Sequence, residues 1–323
     1  MAGKLICALL AAPCIAAAQP ASTAARIGFL SPSTPAAAAP LIEGFRHGLR
    51  EHGYVEGSNI AIEYRFAEND FDRLPGLAAE LVALRVDVLV PVATQASLAA
   101  KSATSTIPIV MVGVSDPVSS KLVASLARPG ANVTGNSSLT APTVAKSLEL
   151  LKELAPGARR VGVLWNPANR VFQAQLMQET AAAARSLDLE LVMFEADAPE
   201  AIDEAFGAMA KARLDALNVF ADPLLTAQFR RIARLAAAAR LPSVGWQASY
   251  AEAGGLIAYG PSFRELHRDA AAYVAKIVSG AKPADLPVEQ PTKFDLVINL
   301  GTARQLGIAM PASLLLRATR VVD

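Results

Sequence analysis

Residues that can hold a small ligand, all but one of them polar or aromatic, follow short apolar runs in both halves of the sequence. They are Ser31, Thr94, Gln95, Ala96, Asp116, Asn166, Asp222, Trp246 and Tyr250. If the apolar runs are parallel strands, these residues follow their carboxyl ends, where doubly wound sheets bind their ligands. Thr94 can cap a following helix, whose neighbouring amides then form an anion site suited to a carboxylate. Because the pattern occurs in both halves, it favours a ligand cleft.

Each of these residues also has a simpler interpretation. Thr94, Asp116 and Asp222 are residue types that cap helices, and the Asp-Pro pair that begins at each aspartate is typical of a turn. Large aromatic residues cluster after strands of the second half, where they can form a ligand wall. Phe220 and Trp165 in that cluster are equally suited to core packing.

Sequence motifs of the common enzyme classes are absent. The sequence contains no phosphate-binding loop, no Gly-x-Gly-x-x-Gly turn and no Gly-x-Ser-x-Gly elbow. Its three histidines (His47, His52 and His267) do not follow predicted strands and have no metal-ligand spacing. Asp116 and Asp222 can in principle act as a glycosidase pair, but sugar clefts are usually more aromatic than this sequence, with 6% aromatic residues. We therefore expect no catalysis, no metal and no cofactor.

The first 18 residues have the order of a secretory signal peptide. Lys4 precedes an apolar run over residues 5–18 that ends in small residues, so we expect cleavage near Ala18. Both cysteines, Cys7 and Cys14, lie in this segment, so the exported chain would have no disulfide and no thiolate metal site. The residue before Cys14 is a proline, which argues against a lipid anchor there. A buried N-terminal helix is the alternative.

Length and alternation predict the α/β class. The 323 residues suggest about two domains after the signal is removed. Short β-branched runs alternate with amphipathic stretches, which indicates doubly wound parallel sheets. The predicted strands cover residues 26–30, 59–65, 87–92, 108–112, 132–135, 160–165, 190–194, 216–220, 243–245 and 256–259. The predicted helices cover residues 41–52, 74–84, 144–154, 172–187, 200–211, 228–239 and 263–279. The 30 basic and 29 acidic residues are nearly balanced, which argues against a nucleic-acid or anionic-membrane surface.

Three irregular segments predict that the chain crosses between two lobes three times. They lie at residues 135–142, 260–262 and 280–291, and the three prolines of the last are expected to exclude regular structure. One lobe would then contain residues 26–138 and about 262–282, and the other residues 139–261 and about 290–323. Two consecutive domains with ordinary loops are the alternative.

Four segments resemble one family of exported solute-binding proteins. They read ARPGANVTG at 127–135, EAGGL at 252–256, YGP at 259–261 and GAKPADLPVEQPTKF at 280–294. The family is that of ABC-transporter substrate-binding proteins, which includes tryptophan-binding lipoproteins, and the likeness covers nearly the whole exported chain. It implies a type I periplasmic-binding-protein fold with two Rossmann-like lobes and a three-segment hinge.

The resemblance also implies a function and roles for residues. Thr94, Gln95 and Ala96 would receive the carboxylate of a ligand, and Ser31 and Asp116 would line the same lobe. The second lobe would contribute Asn166, Asp222, Trp246 and Tyr250, with Asp222 as the partner for an ammonium group.

We therefore expect a monomeric periplasmic receptor that closes around an aromatic or apolar amino acid and delivers it to an inner-membrane ABC permease. A sensing module for a receptor kinase is the alternative, and a periplasmic hydrolase is a weaker one. A cytoplasmic repressor of the same fold does not fit, because a signal peptide occupies the place of its DNA-binding segment.

Overall fold

A computed structural model describes residues 24–323, without the side chains of residues 140–142, 170–173 and 175. The predicted signal peptide, residues 1–18, lies outside the described residues. Strands and helices alternate along the described chain and form two separate sheets. The predicted α/β class with two parallel-sheet lobes is confirmed.

The first sheet has five parallel strands in the order β2-β1-β3-β4-β5. They are β1 (Ala25–Ser31), β2 (Ile60–Phe66), β3 (Val88–Pro91), β4 (Ile109–Val114) and β5 (Val133–Ser137). The connecting helices are α1 (Pro35–Glu51), α2 (Leu74–Ala83) and α3 (Ala93–Ala103). Strands β1, β3 and β4 are almost wholly buried, as expected when helices cover both faces of a parallel sheet.

The second sheet has seven strands in the order β12-β11-β10-β9-β8-β6-β7. They are β6 (Arg160–Trp165), β7 (Glu190–Glu195), β8 (Ala216–Val219), β9 (Ser243–Gly245), β10 (Ile257–Pro261), β11 (Phe294–Asn299) and β12 (Arg320–Val322). All neighbours are parallel except β10 and β11, which are antiparallel. The remaining helices are α4 (Thr140–Leu154), α5 (Arg170–Ser186), α6 (Ala201–Met209), α7 (Pro223–Ala227), α8 (Phe229–Ala238), α9 (Ser249–Glu252), α10 (Phe263–Val278), α11 (Leu300–Leu306) and α12 (Ala312–Arg317).

Helix α10 follows the second lobe's strand β10 in sequence but packs on the first sheet. Leu266, Tyr273 and Val274 of α10 share one buried cluster with residues of β1, β3 and β4. Helices α10 and α1 pack closely because α1 has glycine at the contact. A Cβ at Gly48 of α1 would lie 2.3 Å from the carbonyl oxygen of Arg268 in α10. Helix α10 therefore completes the core of the first lobe.

The chain passes between the lobes three times, after β5, after β10 and before β11. The third connection is attached to the first lobe, since the Thr134 hydroxyl donates to Leu286 O at 2.6 Å and the Tyr273 hydroxyl to Pro287 O at 2.7 Å. It also has local structure that its prolines did not predict, a 3₁₀ turn at Pro283–Asp285 and a bridge between Asn136 and Glu289. The lobe limits given above, 26–138 with 262–282 and 139–261 with 290–323, stay a prediction.

None of the helices within residues 24–323 combines the length and the apolar character that a membrane span requires.

Candidate functional site

A cavity of about 830 Å³ lies between the two lobes. Its wall in the first lobe includes residues that follow β1, β3 and β5, and its wall in the second lobe includes residues that follow β8 and β9. The polar and aromatic residues of this wall include Ser33, Thr34, Thr94, Gln95, Asn169, Asp222, Trp246 and Phe263. The cavity is thus at the carboxyl ends of the strands in both sheets, where ligands of such sheets bind.

The amino terminus of α3 forms one side of the cavity. Its N-cap is Val92, which provides no side-chain hydrogen bond, and Ala93 begins the helix at a φ of +65°. By contrast, α1 is capped by Thr34, whose hydroxyl accepts a hydrogen bond from Ala37 N at 3.3 Å. Thr94 is buried in the first turn of α3, so the prediction that it caps this helix is wrong, because the helix begins one residue earlier. Uncapped first-turn amides carry partial positive charge and bind anions.

Asp222 provides a carboxyl group on the wall of the second lobe. One carboxylate oxygen, Oδ1, accepts hydrogen bonds from Leu224 N at 2.8 Å, Leu225 N at 3.3 Å and Asn166 Nδ2 at 3.1 Å. The other oxygen, Oδ2, accepts one from Asn169 Nδ2 at 3.0 Å. Burial raises the pKa of Asp222, and these four hydrogen bonds counteract only part of that effect. Oδ2 is therefore the oxygen with room for a further donor.

A hydrogen bond between side-chain amides joins the two sides. Gln95 Nε2 in the first turn of α3 donates to Asn169 Oδ1 in the second lobe. Asn169 ends a 3₁₀ turn, Pro167–Asn169, and is almost fully buried. Asn169 was not among the predicted site residues. Its signal is the repetition of asparagine in Asn-Pro-Ala-Asn at 166–169, where the first asparagine follows β6 and the second faces the cavity.

An aromatic contact between the lobes forms a further part of the wall. Trp246, which follows β9, and Phe263, the first residue of α10, lie edge to face with ring centroids 4.6 Å apart. The backbone of Trp246 is held close to β10, since a Cβ at Gly260 would lie 1.9 Å from Trp246 O. Phe263 was not predicted as a site residue, although it lies beside the predicted crossing at residues 260–262.

The structure brings four of the nine predicted site residues to this cavity. They are Thr94, Gln95, Asp222 and Trp246. Asn166 lies behind them and donates to Asp222. The polar and aromatic side chains that gather here offer amide, hydroxyl and carboxylate groups beside an apolar surface, which is the usual composition of a small-molecule site.

The other four predicted residues are not part of the cavity wall. Ser31 is buried and its hydroxyl accepts a hydrogen bond from Ser33 N at 3.2 Å. Ala96 is fully buried in the core of the first lobe. Asp116 accepts from the backbone of the turn that follows it, and Tyr250 is fully buried with its hydroxyl 2.7 Å from Ser243 Oγ.

In the described part of the chain, no group of three or more histidine, cysteine, aspartate or glutamate side chains is arranged to hold a metal ion.

A sequence profile described as ABC transporter substrate binding protein matches residues 33–322. The chain belongs to this family. The resemblance given by the four sequence segments is therefore confirmed, and the family is one of substrate-binding proteins. A relative within it, the tyrosine-binding protein of Clostridioides difficile (strain R20291), is 28% identical over 266 residues, which are 82% of this chain and 75% of that protein.

Solved structures share the fold of this family member over more than nine-tenths of its length. A conserved domain protein from Vibrio cholerae O1 biovar El Tor strain N16961 has a TM-score of 0.86 at 33% identity, covering 92% of this chain and 99% of that one. An ABC domain from Streptococcus pneumonia in complex with L-Trp has a TM-score of 0.83 at 28% identity, with the same coverage. The ligand-free, open structure of a substrate binding protein with adhesive properties from Clostridium difficile has a TM-score of 0.68 at 26% identity, covering 93% of this chain and 99% of that one. The predicted type I periplasmic-binding-protein fold is confirmed.

Proposed function

We propose that the protein binds a free amino acid with an aromatic or other apolar side chain in the cleft and delivers it to an ABC importer. The observation that supports this most is the arrangement of charge across the cavity. An uncapped helix terminus in one lobe lies opposite a buried carboxylate in the other. A zwitterion matches both, because its carboxylate suits the helix amides and its ammonium group suits the aspartate.

The carboxylate of the ligand would lie at the first turn of α3. Helix amides there would donate to it together with the Thr94 hydroxyl, whose residue is buried at the cavity wall. The side-chain NH₂ of Gln95 donates one of its two hydrogens to Asn169, and the backbone N–H of Gln95 would be among the helix amides that face the carboxylate.

The ammonium group of the ligand would lie at Asp222 Oδ2. This oxygen accepts a single hydrogen bond from another side chain, and burial disfavours the charge of Asp222, since its pKa is raised. A cation beside it would supply the opposite charge that a buried carboxylate requires.

The side chain of the ligand would lie against the aromatic part of the wall. The rings of Trp246 and Phe263 pack edge to face at the cavity wall. An aromatic ring of the ligand could pack against this pair in the same edge-to-face or offset geometry. The related tyrosine-binding protein and the related structure in complex with L-Trp support an aromatic amino acid.

Closure of the two lobes would trap the ligand. The TM-score is higher against the L-Trp complex, at 0.83, than against the ligand-free open structure, at 0.68, which supports a closed arrangement of the lobes here. Contacts from both lobes favour closure because the open form makes only part of them. The closed, monomeric protein would then meet an inner-membrane permease from the periplasm.

Isothermal titration calorimetry of the unfolded, dialysed and refolded protein with the twenty amino acids tests the proposal. We expect an aromatic L-amino acid to bind and to raise the melting temperature, and mass spectrometry to recover it unchanged, since a receptor does not turn over its ligand. If none of the twenty binds, an amino-acid receptor is refuted. A chemically altered ligand would favour the hydrolase alternative.

A further inference from the structure

Three side chains form a chain of hydrogen bonds from one lobe to the other. Asn169 Nδ2 donates to Asp222 Oδ2, and Asn169 Oδ1 accepts from Gln95 Nε2. Gln95 belongs to the first turn of α3, and Asn169 and Asp222 belong to the second lobe. All three line the cavity. This series of hydrogen bonds links the two lobes at the cavity wall.

The chemistry of Asp222 determines the direction of this chain. Four donors surround the Asp222 carboxyl group. In its ionised form this group can only accept hydrogen bonds, so Asn169 turns its NH₂ group towards it. The Asn169 carbonyl then points the other way, and only a donor can meet it. Gln95 therefore turns its own NH₂ group towards Asn169, which leaves its carbonyl oxygen, Oε1, for another donor.

Asn166 is the natural comparison for Asn169. It also donates to Asp222, at 3.1 Å, but its carbonyl oxygen accepts from Ala168 N at 3.0 Å within its own loop. Asn166 thus supports the carboxylate without reaching the first lobe, whereas Asn169 connects the carboxylate to Gln95.

We infer that Asn169 is a positioning residue that transmits the polarity of the Asp222 carboxylate across the cleft, so that Gln95 faces the ligand with a carbonyl oxygen. Both lobes then offer an acceptor to the ligand's amino group, Asp222 Oδ2 from one and Gln95 Oε1 from the other. The cleft therefore selects ligands with an amine over carboxylates of the same shape. This inference rests on the proposed function for the identity of the ligand, but the link itself is made by side chains of the protein alone.

The first test uses the ligand-free protein. In spectra of protein labelled with ¹⁵N at asparagine and glutamine, we expect Asp222→Asn to shift the side-chain amide signals of Gln95, because an amide at position 222 can reverse both bonds. In an Asn169→Ala background the same substitution should leave the Gln95 signals in place, and in the matched Asn166→Ala background it should still shift them. Asp222→Ser, which keeps a helix-capping residue, replaces Asp222→Asn if that variant does not fold.

The second test measures L-tyrosine binding by calorimetry. Gln95→Glu adds a negative charge to the cavity wall. If only the attraction between this charge and the ligand's ammonium group mattered, the variant would bind L-tyrosine more tightly. Our inference predicts weaker binding, by about tenfold or more, because glutamate cannot donate to Asn169 and the two oxygens repel. We also expect Asn169→Ala to reduce the preference for L-tyrosine over 3-(4-hydroxyphenyl)propanoate, which lacks the amine.

The outcomes separate the two ideas. The inference is overturned if the Gln95 signals do not respond to Asp222→Asn, if they respond equally in the Asn169→Ala background, or if Gln95→Glu binds L-tyrosine more tightly. A wild-type protein that binds no amino acid overturns the proposed function instead, and the ligand-free spectra still decide the inference.

Discussion

Replacing Asp222 with asparagine should change ligand affinity and stability in opposite directions. Asparagine is as good an N-cap as aspartate, so the hydrogen bonds of Leu224 N and Leu225 N with the side-chain oxygen can persist. What is lost is the negative charge that would bind the ammonium group. A hydrogen bond to a charged group contributes about 1.5–3 kcal/mol, so we expect the Kd of the amino acid to rise by roughly 10- to 150-fold.

The stability of the empty protein should rise in the same variant. The folded pKa of Asp222 is raised above its ordinary value because the group is buried. For an acid shifted in this direction, the folded state loses stability as pH rises through the interval between the unfolded and the folded pKa. At neutral pH the folded protein must either bury this charge or take up a proton, and both lower its free energy of unfolding, so removing the acidic group should raise the melting temperature.

Asp215 provides the control. Its carboxylate accepts hydrogen bonds from Arg159 N and Arg160 N, both at 2.8 Å, and these hold its pKa below the usual range. Asp215→Asn should therefore lower stability and leave ligand affinity unchanged. Calorimetric titration and thermal unfolding at pH 7 measure both quantities. If Asp222→Asn lowered stability while ligand affinity stayed the same, Asp222 would be a structural cap and our assignment would be refuted.

Three further predictions concern pH, Thr94 and Gly260. As the pH falls, a proton on Asp222 should compete with the ammonium group and weaken amino-acid binding. Because the pKa of Asp222 is raised, this loss of affinity should begin at a higher pH than for an aspartate of ordinary pKa. The same pH dependence of the Kd in wild type and in Asp222→Asn would contradict this prediction. Thr94→Val should weaken binding by about tenfold through loss of one donor to a carboxylate, and an unchanged Kd in calorimetry would contradict this. Gly260→Ala should destabilise the protein by about 2–3 kcal/mol and displace Trp246, whose carbonyl oxygen a Cβ would approach to 1.9 Å; Gly157→Ala, where a Cβ meets nothing within 4 Å, is the matched control, and equal melting temperatures would count against the argument.

Long buried elements of the fold can be predicted from the sequence. Each of the ten predicted strands is present, with ends within two residues of the prediction. Strands β11 and β12 were not predicted. Strand β11 follows a proline-rich segment, and β12, Arg320–Val322, is a short edge strand that exists because β11 is there to pair with it. Such elements depend on tertiary pairing rather than on their own pattern of apolar residues.

The site was predictable only where it follows strands directly. Thr94, Asp222 and Trp246 come soon after β3, β8 and β9, so the rule for strand ends selects them. Phe263 reaches the cavity through the path of the chain between lobes, which no local pattern predicts.

Tyr250 illustrates the opposite limit, because it follows a strand and yet lies in the core. Its ring packs against glycines at 245 and 255, where a Cβ would come within 2.4 and 2.2 Å of the ring. Small residues at those two positions make room for the ring inside the lobe, and a linear sequence does not display that neighbourhood.

The position of α10 in the chain also determines when the cleft can be built. The ion pair between Arg268 and Glu51, at 2.8 Å, joins residues 217 positions apart. Because α10 supplies part of the first lobe's core, that core cannot close until residues up to 278 have been synthesised. Such long-range contacts form slowly, since a large loop must close first. We therefore expect the core of the first lobe, and with it the cavity between the lobes, to be among the last parts of the molecule to form.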